Sequence, residues 1–410
     1  MQSADTSINK ITAYHWQLFA ICVLSNVFGG TVSTLMSVYL PVAVKDLLGE
    51  VDTDNFNFIS AYVNSIFIFG WAIGGMVWGI LSDQMGRSRA IVLSIGSYGL
   101  FTLLTGFTNS WILILVWRFL SGFGVGGVLV LTPTILSEVW PEKTRSIFIG
   151  ILSIGFPIGI FSAGLIDIFV ANWHQAFWVG MIPLSLAALC AWLLRESDKW
   201  ALSKKESGVK KLKILFDNNH RGNLLVGSLT FGAMLIGLWG IFSWLPTWIQ
   251  TLLTTSDGQQ ERGLSMMVLG AGALIGGFSS GWFSNAIGHR RAMMLCFAGC
   301  FTTSFLLFKT NTIFSKIIYV EIAFLALFFG ASQGVLSAYI PELFPSVIRA
   351  TATGFCFNIG RFVTGTVVFF VGALVIILGG YGNAIFAFSW VFLIGLIATF
   401  FSKNTVKTKN

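Results

Sequence analysis

The chain has 410 residues, of which 55% are hydrophobic and only 10% are charged, and its mean hydropathy is +0.80. Soluble globular domains carry about 25% charged residues, so this composition excludes a soluble protein and indicates an integral membrane protein surrounded by lipid. The net charge of +8 resides mainly in the polar segments between apolar runs and does not predict a nucleic-acid partner.

Long apolar runs predict twelve membrane-spanning helices. A helix needs about 20 residues to cross about 30 Å of hydrocarbon, and these runs lack the alternating polarity of barrel strands. The predicted helices of the first half are 14–42, 58–81, 90–108, 111–137, 146–171 and 175–195. Those of the second half are 222–252, 263–284, 292–309, 316–341, 350–378 and 381–402. The predicted fold class is therefore an all-α membrane protein.

Two motifs recur half a chain apart at almost the same offset. The segment EVWPEKTR, with Glu138 and Arg145, returns as ELFPSVIR, with Glu342 and Arg349. The segment GILSDQMGRSRA at 79–90 returns as GWFSNAIGHRRA at 281–292. This duplication predicts two pseudo-symmetric six-helix bundles, residues 1–195 and 222–410, joined by a cytoplasmic linker at 196–221.

The basic residues favour one side of the membrane. If both termini are cytoplasmic, most of the 25 Lys and Arg lie on cytoplasmic loops, and the acidic loop 43–57 lies outside. Basic loops stay in the cytoplasm during insertion. We therefore predict an N-in, C-in topology in a plasma membrane, that of a bacterial inner membrane.

Four segments carry a family resemblance. The loop with Gly79, Asp83, Gly86, Arg87 and Arg89 resembles the signature loop of the major facilitator superfamily. An arginine followed by spaced glycines resembles the superfamily's second motif; these residues are Arg118, Gly122, Gly124 and Gly126. RESDKW at 195–200 and PELFPSVIRATATG at 341–354 resemble elements of the branch of sugar porters, organic-ion transporters and synaptic-vesicle-like proteins. The resemblance covers essentially the whole chain and implies a secondary transporter that works by alternating access; we expect a monomer.

The resemblance also implies a cytoplasmic gate, in which pairs of acids and guanidinium groups hold the halves together when the inner side is closed. The predicted gate residues are Asp83, Arg87, Arg89, Glu138, Arg145, Glu342 and Arg349. Asp83 is expected at the N-terminus of the third helix or beside an arginine of a neighbouring loop. Asn285 and His289 stand where the repeat predicts an acid and a guanidinium, so we predict an asymmetric gate. The alternative is that these charges only set the topology and pack the loops.

Ionisable side chains within predicted membrane helices are costly and usually functional. Arg361, in the eleventh helix, lies nearest the midplane, where a guanidinium can bind a carboxylate with two hydrogen bonds. We predict that it recognises an anionic organic solute. The alternative is that it pairs with a buried acid or with carbonyl groups and only stabilises packing. Other polar or aromatic side chains of the predicted substrate cavity are Asn26, Thr31, Trp239, Trp244, Gln333 and Asn358.

Three other ionisable residues are candidates for proton coupling: Asp167, Arg118 and Glu321. Arg118 and Asp167 fall at similar depths on consecutive helices, so a pair between them is expected. A partly buried carboxylate beside a guanidinium can titrate during transport. Thr31 stands where proton-coupled sugar porters carry an acid, so the usual coupling acid of those porters is missing here. The alternative to a titrating carboxylate is a static ion pair.

The predicted function is transport of a small organic solute, a carboxylate, with a proton as the coupling ion. A sugar transporter is the nearest alternative, although GLWGI at 237–241 replaces the paired glutamines of sugar porters. A drug efflux antiporter, from the glycines and proline of GILSIGFPIG at 150–159, and a non-transporting solute receptor also remain open. The residue spacing assembles neither a nucleophile with its base nor a metal cluster. We therefore expect no enzymatic activity, metal or other cofactor.

Overall fold

The protein is described from a computed structural model that covers residues 11–49, 53–196, 218–253, 257–345 and 348–401. Within those ranges every regular element is a helix. Eleven helices are long and apolar enough to cross a membrane, and one bent pair supplies a twelfth. The predicted all-α fold with twelve spans is confirmed.

The first half contains six spans that correspond to the predicted segments. They are α1 (Ala13–Leu48), α2 (Thr53–Met85), α3 (Arg87–Thr105), α4 (Trp111–Val139), α5 (Glu142–Phe169) and α6 (Trp173–Leu193). Within α6, a tighter 3₁₀ turn, Phe177–Gly180, connects the first turn to the helix Met181–Leu193.

The second half contains the other six spans, two of them broken. They are α7 (Asn218–Phe242 and Leu245–Leu252), α8 (Gln259–Ile287), α9 (His289–Thr310), α10 (Ile317–Glu342), α11 (Arg349–Phe369 and Val371–Ile377) and α12 (Tyr381–Phe401).

Two predicted helices are therefore wrong in their continuity. The break in α7 precedes Pro246, which lies in the first turn of the second piece and has no amide hydrogen to continue the ladder. The pieces of α11 meet at a bend of 42°. The helix α7 also begins at Asn218, inside the predicted linker 196–221. Residues 197–217 of that linker lie outside the described ranges, so the domain boundaries remain a prediction.

Glycines let helix backbones touch in both halves. On α2, a Cβ at Gly74 would overlap the carbonyl oxygen of Phe123 on α4. On α8, a Cβ at Gly276 would overlap the carbonyl oxygen of Leu327 on α10. These glycines are equivalent in the sequence repeat, and membrane helices commonly pack through small residues. The repeat is thus present in the packing as well as in the sequence.

The two halves meet along two seams. The α2–α11 seam runs from Gly372, where a Cβ would lie 2.6 Å from the carbonyl oxygen of Asn57, to Gly75, where a Cβ would lie 3.1 Å from Oδ1 of Asn358. In the α5–α8 seam, a Cβ on Gly164 would overlap the carbonyl oxygen of Gly263.

Contact between the halves is lost toward one end of the bundle. We call the end with the α2–α3 and α8–α9 loops the basic face, and the opposite end the far face. One turn nearer the basic face than Gly75 and Asn358, the glycines Gly79 and Gly354 have open space around them. A Cβ on either would meet no heavy atom within 4 Å in the described part of the chain. Along this seam the two halves are therefore in contact toward the far face and apart near the basic face.

Candidate functional site

Arg361 lies on α11, one turn beyond Asn358, close to the point where α2 and α11 separate. Its side chain is half-buried, and Nη1 donates to Oδ1 of Asn358 at 3.3 Å. Its buried Nε has no hydrogen-bond partner among the described residues. Nor does any carboxylate of those residues form an ion pair with it. Arg361 is therefore a positive charge without a counter-ion in the described structure.

Aromatic rings surround this guanidinium from both halves. Cζ of Arg361 lies 5.4 Å from the ring centroid of Trp71 on α2 and 5.7 Å from that of Phe231 on α7. Trp71 stacks on Phe156 of α5 at 5.8 Å and meets Trp239 of α7 edge to face at 5.4 Å. These contacts build an aromatic wall and contribute cation–π attraction of about 0.5–2 kcal/mol.

A close approach of α7 and α11 places Phe231 beside Arg361. A Cβ on Gly360 would lie 2.7 Å from Cδ1 of Phe231 and 3.2 Å from Cα of Gly232. Phe231 also stacks on Phe357 of α11, with ring centroids 4.3 Å apart. A side chain at position 360 would therefore displace the ring that faces the guanidinium.

Two of the predicted cavity residues contribute to helix packing. The amide of Asn26, which is 4% exposed, donates to the carbonyl oxygen of Cys22 and to Oγ1 of Thr132, both at 2.8 Å. Thr31 is buried and donates to the carbonyl oxygen of Val27 at 3.0 Å. Both hydrogen-bond within the first half, and no described contact brings either to Arg361, so their place in the substrate cavity remains a prediction.

The remaining predicted cavity residues divide into two groups. Asn358 and Trp239 lie at the Arg361 site. Trp244 is buried against the ring of Tyr381 at 5.7 Å, and the hydroxyl of Tyr381 donates to Oδ1 of Asn57 across the far face. Gln333 is half-buried, and its Nε2 has no partner among the described residues. No described contact brings Trp244 or Gln333 to Arg361.

The predicted pair of Arg118 and Asp167 is not formed. Arg118 donates from Nη1 to the carbonyl oxygen of Val32 at 3.1 Å, and its Cζ covers the ring of Phe67 at 4.0 Å. The third coupling candidate, Glu321, accepts a hydrogen bond from Nδ2 of Asn311 at 2.6 Å. Similar depth in the membrane did not decide partnership, because side-chain direction around each helix also matters.

Asp167 instead faces Arg262 of the second half. Nη2 of Arg262 lies 3.9 Å from Oδ1 of Asp167, and both side chains are buried beside the Gly164–Gly263 crossing. Nη1 of Arg262 donates to the carbonyl oxygen of Asp257 at 2.8 Å and to Oε1 of Gln250.

The carboxylate of this pair lacks hydrogen-bond donors among the described residues. Neither carboxylate oxygen of Asp167 has a hydrogen-bond donor among the described residues. Its backbone carbonyl accepts from Nε2 of Gln259 at 2.6 Å. Sequence reasoning missed Arg262 because the polar run QQER at 259–262 resembles a loop, whereas the structure begins α8 there.

At the basic face, Arg87 forms ion pairs with two acids of the first half. It lies 2.6 Å from Asp83 and 3.1 Å from Glu138, and Nη1 donates to Oγ of Ser82 at 2.6 Å. The N-terminus of α3 is occupied by Glu196, which accepts from the backbone amide of Arg87 at 2.6 Å. Asp83 thus pairs with Arg87. The N-terminus of α3 is contacted by Glu196, a residue that the sequence did not predict at this position.

The second half has a smaller version of this cluster. His289 lies 3.0 Å from Glu342. Among the described residues, the repeated arginines contact backbone carbonyl groups: Arg145 donates to the carbonyl oxygen of Trp140 at 3.2 Å, and Arg349 to that of Phe344 at 3.3 Å.

The ion pairs described at the basic face join residues of the same half. Arg89 is exposed on α3. The absence of described ion pairs between the halves at this face agrees with the separation of α2 and α11 there. Charged side chains cannot hold the halves together while the helices are apart. Whether these residues latch the halves in another state remains a prediction.

Twelve membrane helices in two similar halves, with a charged site where the halves meet, define a membrane transporter and not an enzyme. The chain belongs to the Major Facilitator Superfamily, whose family model matches residues 20–368.

Two curated relatives and one solved structure illustrate the similarity. The chain is 29% identical over 315 residues to the cis,cis-muconate transport protein of Acinetobacter baylyi, covering 73% of this chain and 74% of the relative. It is 23% identical over 393 residues to the benzoate transport protein of the same bacterium, covering 86% and 82%. The inward-open xylose transporter of E. coli has the same fold, with a TM-score of 0.81, 15% identity and coverage of 97% and 98%.

The unequal clusters at the basic face lead to a prediction about stability. Arg87→Gln should lower the free energy of unfolding by about 1.5–3 kcal/mol, because it removes charge-assisted hydrogen bonds from a mostly buried group. His289→Gln should cost less, since Glu342 is more exposed than Glu138 and, among the described residues, His289 contacts one acid whereas Arg87 contacts two. Thermal unfolding of the purified variants measures both, and equal shifts would contradict the asymmetry.

Proposed function

We propose that the protein takes up a small organic carboxylate across a bacterial inner membrane by alternating access. The observation that carries this proposal is Arg361, a half-buried guanidinium without a counter-ion among the described residues. It lies at the point where the α2–α11 seam begins to separate toward the basic face. An unpaired charge at such a site is costly, and a carboxylate ligand removes that cost. The muconate and benzoate names of the relatives support the same substrate class.

We propose that the basic face is cytoplasmic, from the positive-inside distribution of Lys and Arg. In this orientation the described state is open to the cytoplasm and closed to the outside. A solute that enters from outside must then wait for the far face to open, which requires the α2–α11 and α5–α8 seams to separate. Arg361 lies within reach of either opening because it sits on the seam itself.

A sugar transporter fits this site less well. A sugar has no charge to balance Arg361, and the likeness to the xylose transporter concerns the fold only. No contact among the described residues favours drug efflux or solute reception over carboxylate uptake.

We further propose that Asp167 and Arg262 form the outer gate. They come from different halves, and their attraction holds α5 against α8 at the far face. At 3.9 Å two opposite charges attract by about 4 kcal/mol for an effective dielectric constant near 20. Opening the far face must break this pair.

The same pair is the proposed site of proton coupling. The charged or titratable groups that face Asp167 are Arg262, Asp257 and Tyr39. Protonation of Asp167 from outside would cancel its attraction to Arg262 and favour the outward-open state. Arg118 and Glu321 are bound to other partners, so we centre the coupling on Asp167.

The carboxylate proposal predicts a loss of affinity in Arg361→Gln. Removing one charge-assisted bidentate contact of about 2–3 kcal/mol should weaken binding roughly 30-fold to 150-fold. Arg361→Lys should recover part of the loss, because it restores the charge without the fork. Binding of labelled benzoate to the purified protein is the measurement. Arg291→Gln, an exposed arginine of α9, is the control, and unchanged affinity in Arg361→Gln would refute the role.

The outer-gate proposal predicts a specific pattern in a double-mutant cycle. Asp167→Asn and Arg262→Gln each leave one buried charge unpaired, which costs about 3–5 kcal/mol, so each should open the far face. The double variant removes both charges and should be more closed than either single variant.

Openness can be measured with a membrane-impermeant thiol reagent on Ser243→Cys. Ser243 is buried, and its backbone carbonyl accepts a hydrogen bond from Asn64 of the other half. Thr312→Cys, exposed in the far-face loop, reports the reagent's own reactivity. Equal labelling of Ser243→Cys in all backgrounds would rule out the gate.

The coupling proposal predicts that an acidic exterior raises labelled benzoate uptake into proteoliposomes. Asp167→Asn resembles the protonated side chain, so its uptake should no longer respond to external pH. If benzoate uptake by the wild-type protein does not change with a pH gradient, coupling through Asp167 is refuted. The proposal of carboxylate transport is not affected by that result.

A further inference from the structure

We propose that Trp71 is a specificity-determining residue of the transport site, and that the site selects planar aromatic monocarboxylates. This inference rests on the proposed carboxylate role of Arg361. It assigns the second donor and the organic part of the ligand.

Trp71 has a donor without an acceptor. The residue is 6% exposed, and its buried Nε1 has no hydrogen-bond partner among the described residues. Nε of Arg361 is in the same condition, and Cζ of Arg361 lies 5.4 Å from the Trp71 ring centroid. Buried polar groups are nearly always hydrogen-bonded in folded proteins, so two unpartnered donors on residues in cation–π contact point to a ligand that accepts from both.

A carboxylate fits this pair of donors. It has two oxygens with several lone pairs, and can accept from the guanidinium and the indole together. Trp78 and Trp244 also have a buried Nε1 without a partner in the described ranges. Neither lies against a cation there, whereas Trp71 does. Trp71 is therefore the tryptophan whose donor can share an anionic ligand with an arginine.

The surroundings of the donors specify the rest of the ligand. Trp239, Phe156, Phe231 and Phe357 present aromatic rings around Trp71 and Arg361. Rings gain about 0.5–1.5 kcal/mol from stacked or edge-to-face contact beyond the burial of apolar area. A flat aromatic ring is the apolar group that uses these contacts best.

A second carboxylate on the ligand would lack a partner. No other cation contacts Trp239, Phe156, Phe231 or Phe357 in the part of the chain that is described. Arg118 is separated from Trp71 by Phe67, whose ring its own guanidinium covers. Burial of an unpaired carboxylate is costly, so the site should prefer benzoate to cis,cis-muconate, despite the name of one relative.

The two donors also belong to different halves of the molecule. Trp71 lies on α2 and Arg361 on α11, which form one seam of the interface. A carboxylate held by both would join the halves at the place where they begin to separate. Ligand binding would then stabilise contact between the halves, as the occluded step of alternating access requires.

The test uses binding of labelled benzoate to the purified full-length transporter. Trp71→Phe keeps an aromatic ring and deletes the N–H donor, so it should weaken benzoate binding about five-fold to tenfold. Trp71→Leu removes the ring as well and should weaken binding further. Trp192→Phe, at a lipid-facing position that is 91% exposed, should leave affinity unchanged.

Competition against the wild-type protein tests the ligand class without any variant. Unlabelled benzoate should compete at least about tenfold better than cyclohexanecarboxylate, which has similar size but is not flat, and better than cis,cis-muconate. In Trp71→Leu the preference for benzoate over cyclohexanecarboxylate should shrink.

The outcomes separate this inference from the proposed function. If cyclohexanecarboxylate competes as well as benzoate, and Arg361→Gln weakens both, carboxylate binding stands and the role of Trp71 is overturned. Normal benzoate binding by Trp71→Phe would likewise overturn the donor role. If the wild-type protein binds none of the three acids, the proposed function itself fails.

Discussion

A positive charge held among aromatic rings at a helix interface is the constraint on which the site depends. Among the described residues, Arg361 has one hydrogen bond, to Asn358, and two ring contacts, to Trp71 and Phe231. These interactions only partly replace the hydration that a guanidinium loses on burial, so the remaining free energy is available to an anionic ligand. Because Arg361 sits on the α2–α11 seam, just before these helices separate, a ligand there touches the surface that must open and close. Its binding energy can therefore act on the balance between states.

The two seams differ in chemistry although the halves are repeats. At the far face, beside the α2–α11 seam, α2 meets α12 through neutral groups, because Asn57 of α2 accepts a hydrogen bond from the hydroxyl of Tyr381. The α5–α8 seam carries the buried charges of Asp167 and Arg262. The pseudo-symmetry supplies similar backbones on both sides, whereas the side chains differ, so that the α5–α8 seam carries a pair of opposite charges.

Much of the architecture follows from the sequence. Lipid leaves helices as the structure for continuous apolar runs, so the twelve spans could be predicted from length and hydropathy. The repetition of EVWPEKTR as ELFPSVIR half a chain later revealed the duplication. The structure shows it again in the equivalent carbonyl contacts of Arg145 and Arg349. Arg361 could be selected because an arginine near the midplane is rare and costly.

Partners could not be predicted in the same way. Depth along a helix can be counted, but the direction of a side chain around the helix depends on which neighbour packs there. Asp167 was therefore expected to face Arg118, and it instead faces Arg262. Asn26 was expected to face the substrate cavity, and its amide hydrogen-bonds to Thr132 within the first half. The sequence by itself determined the membrane class, the spans, the repeat and the one guanidinium predicted near the midplane. Only the tertiary structure decided which rings enclose Arg361 and which charges meet between the halves, because those contacts join residues far apart in the chain through packing that no local pattern encodes.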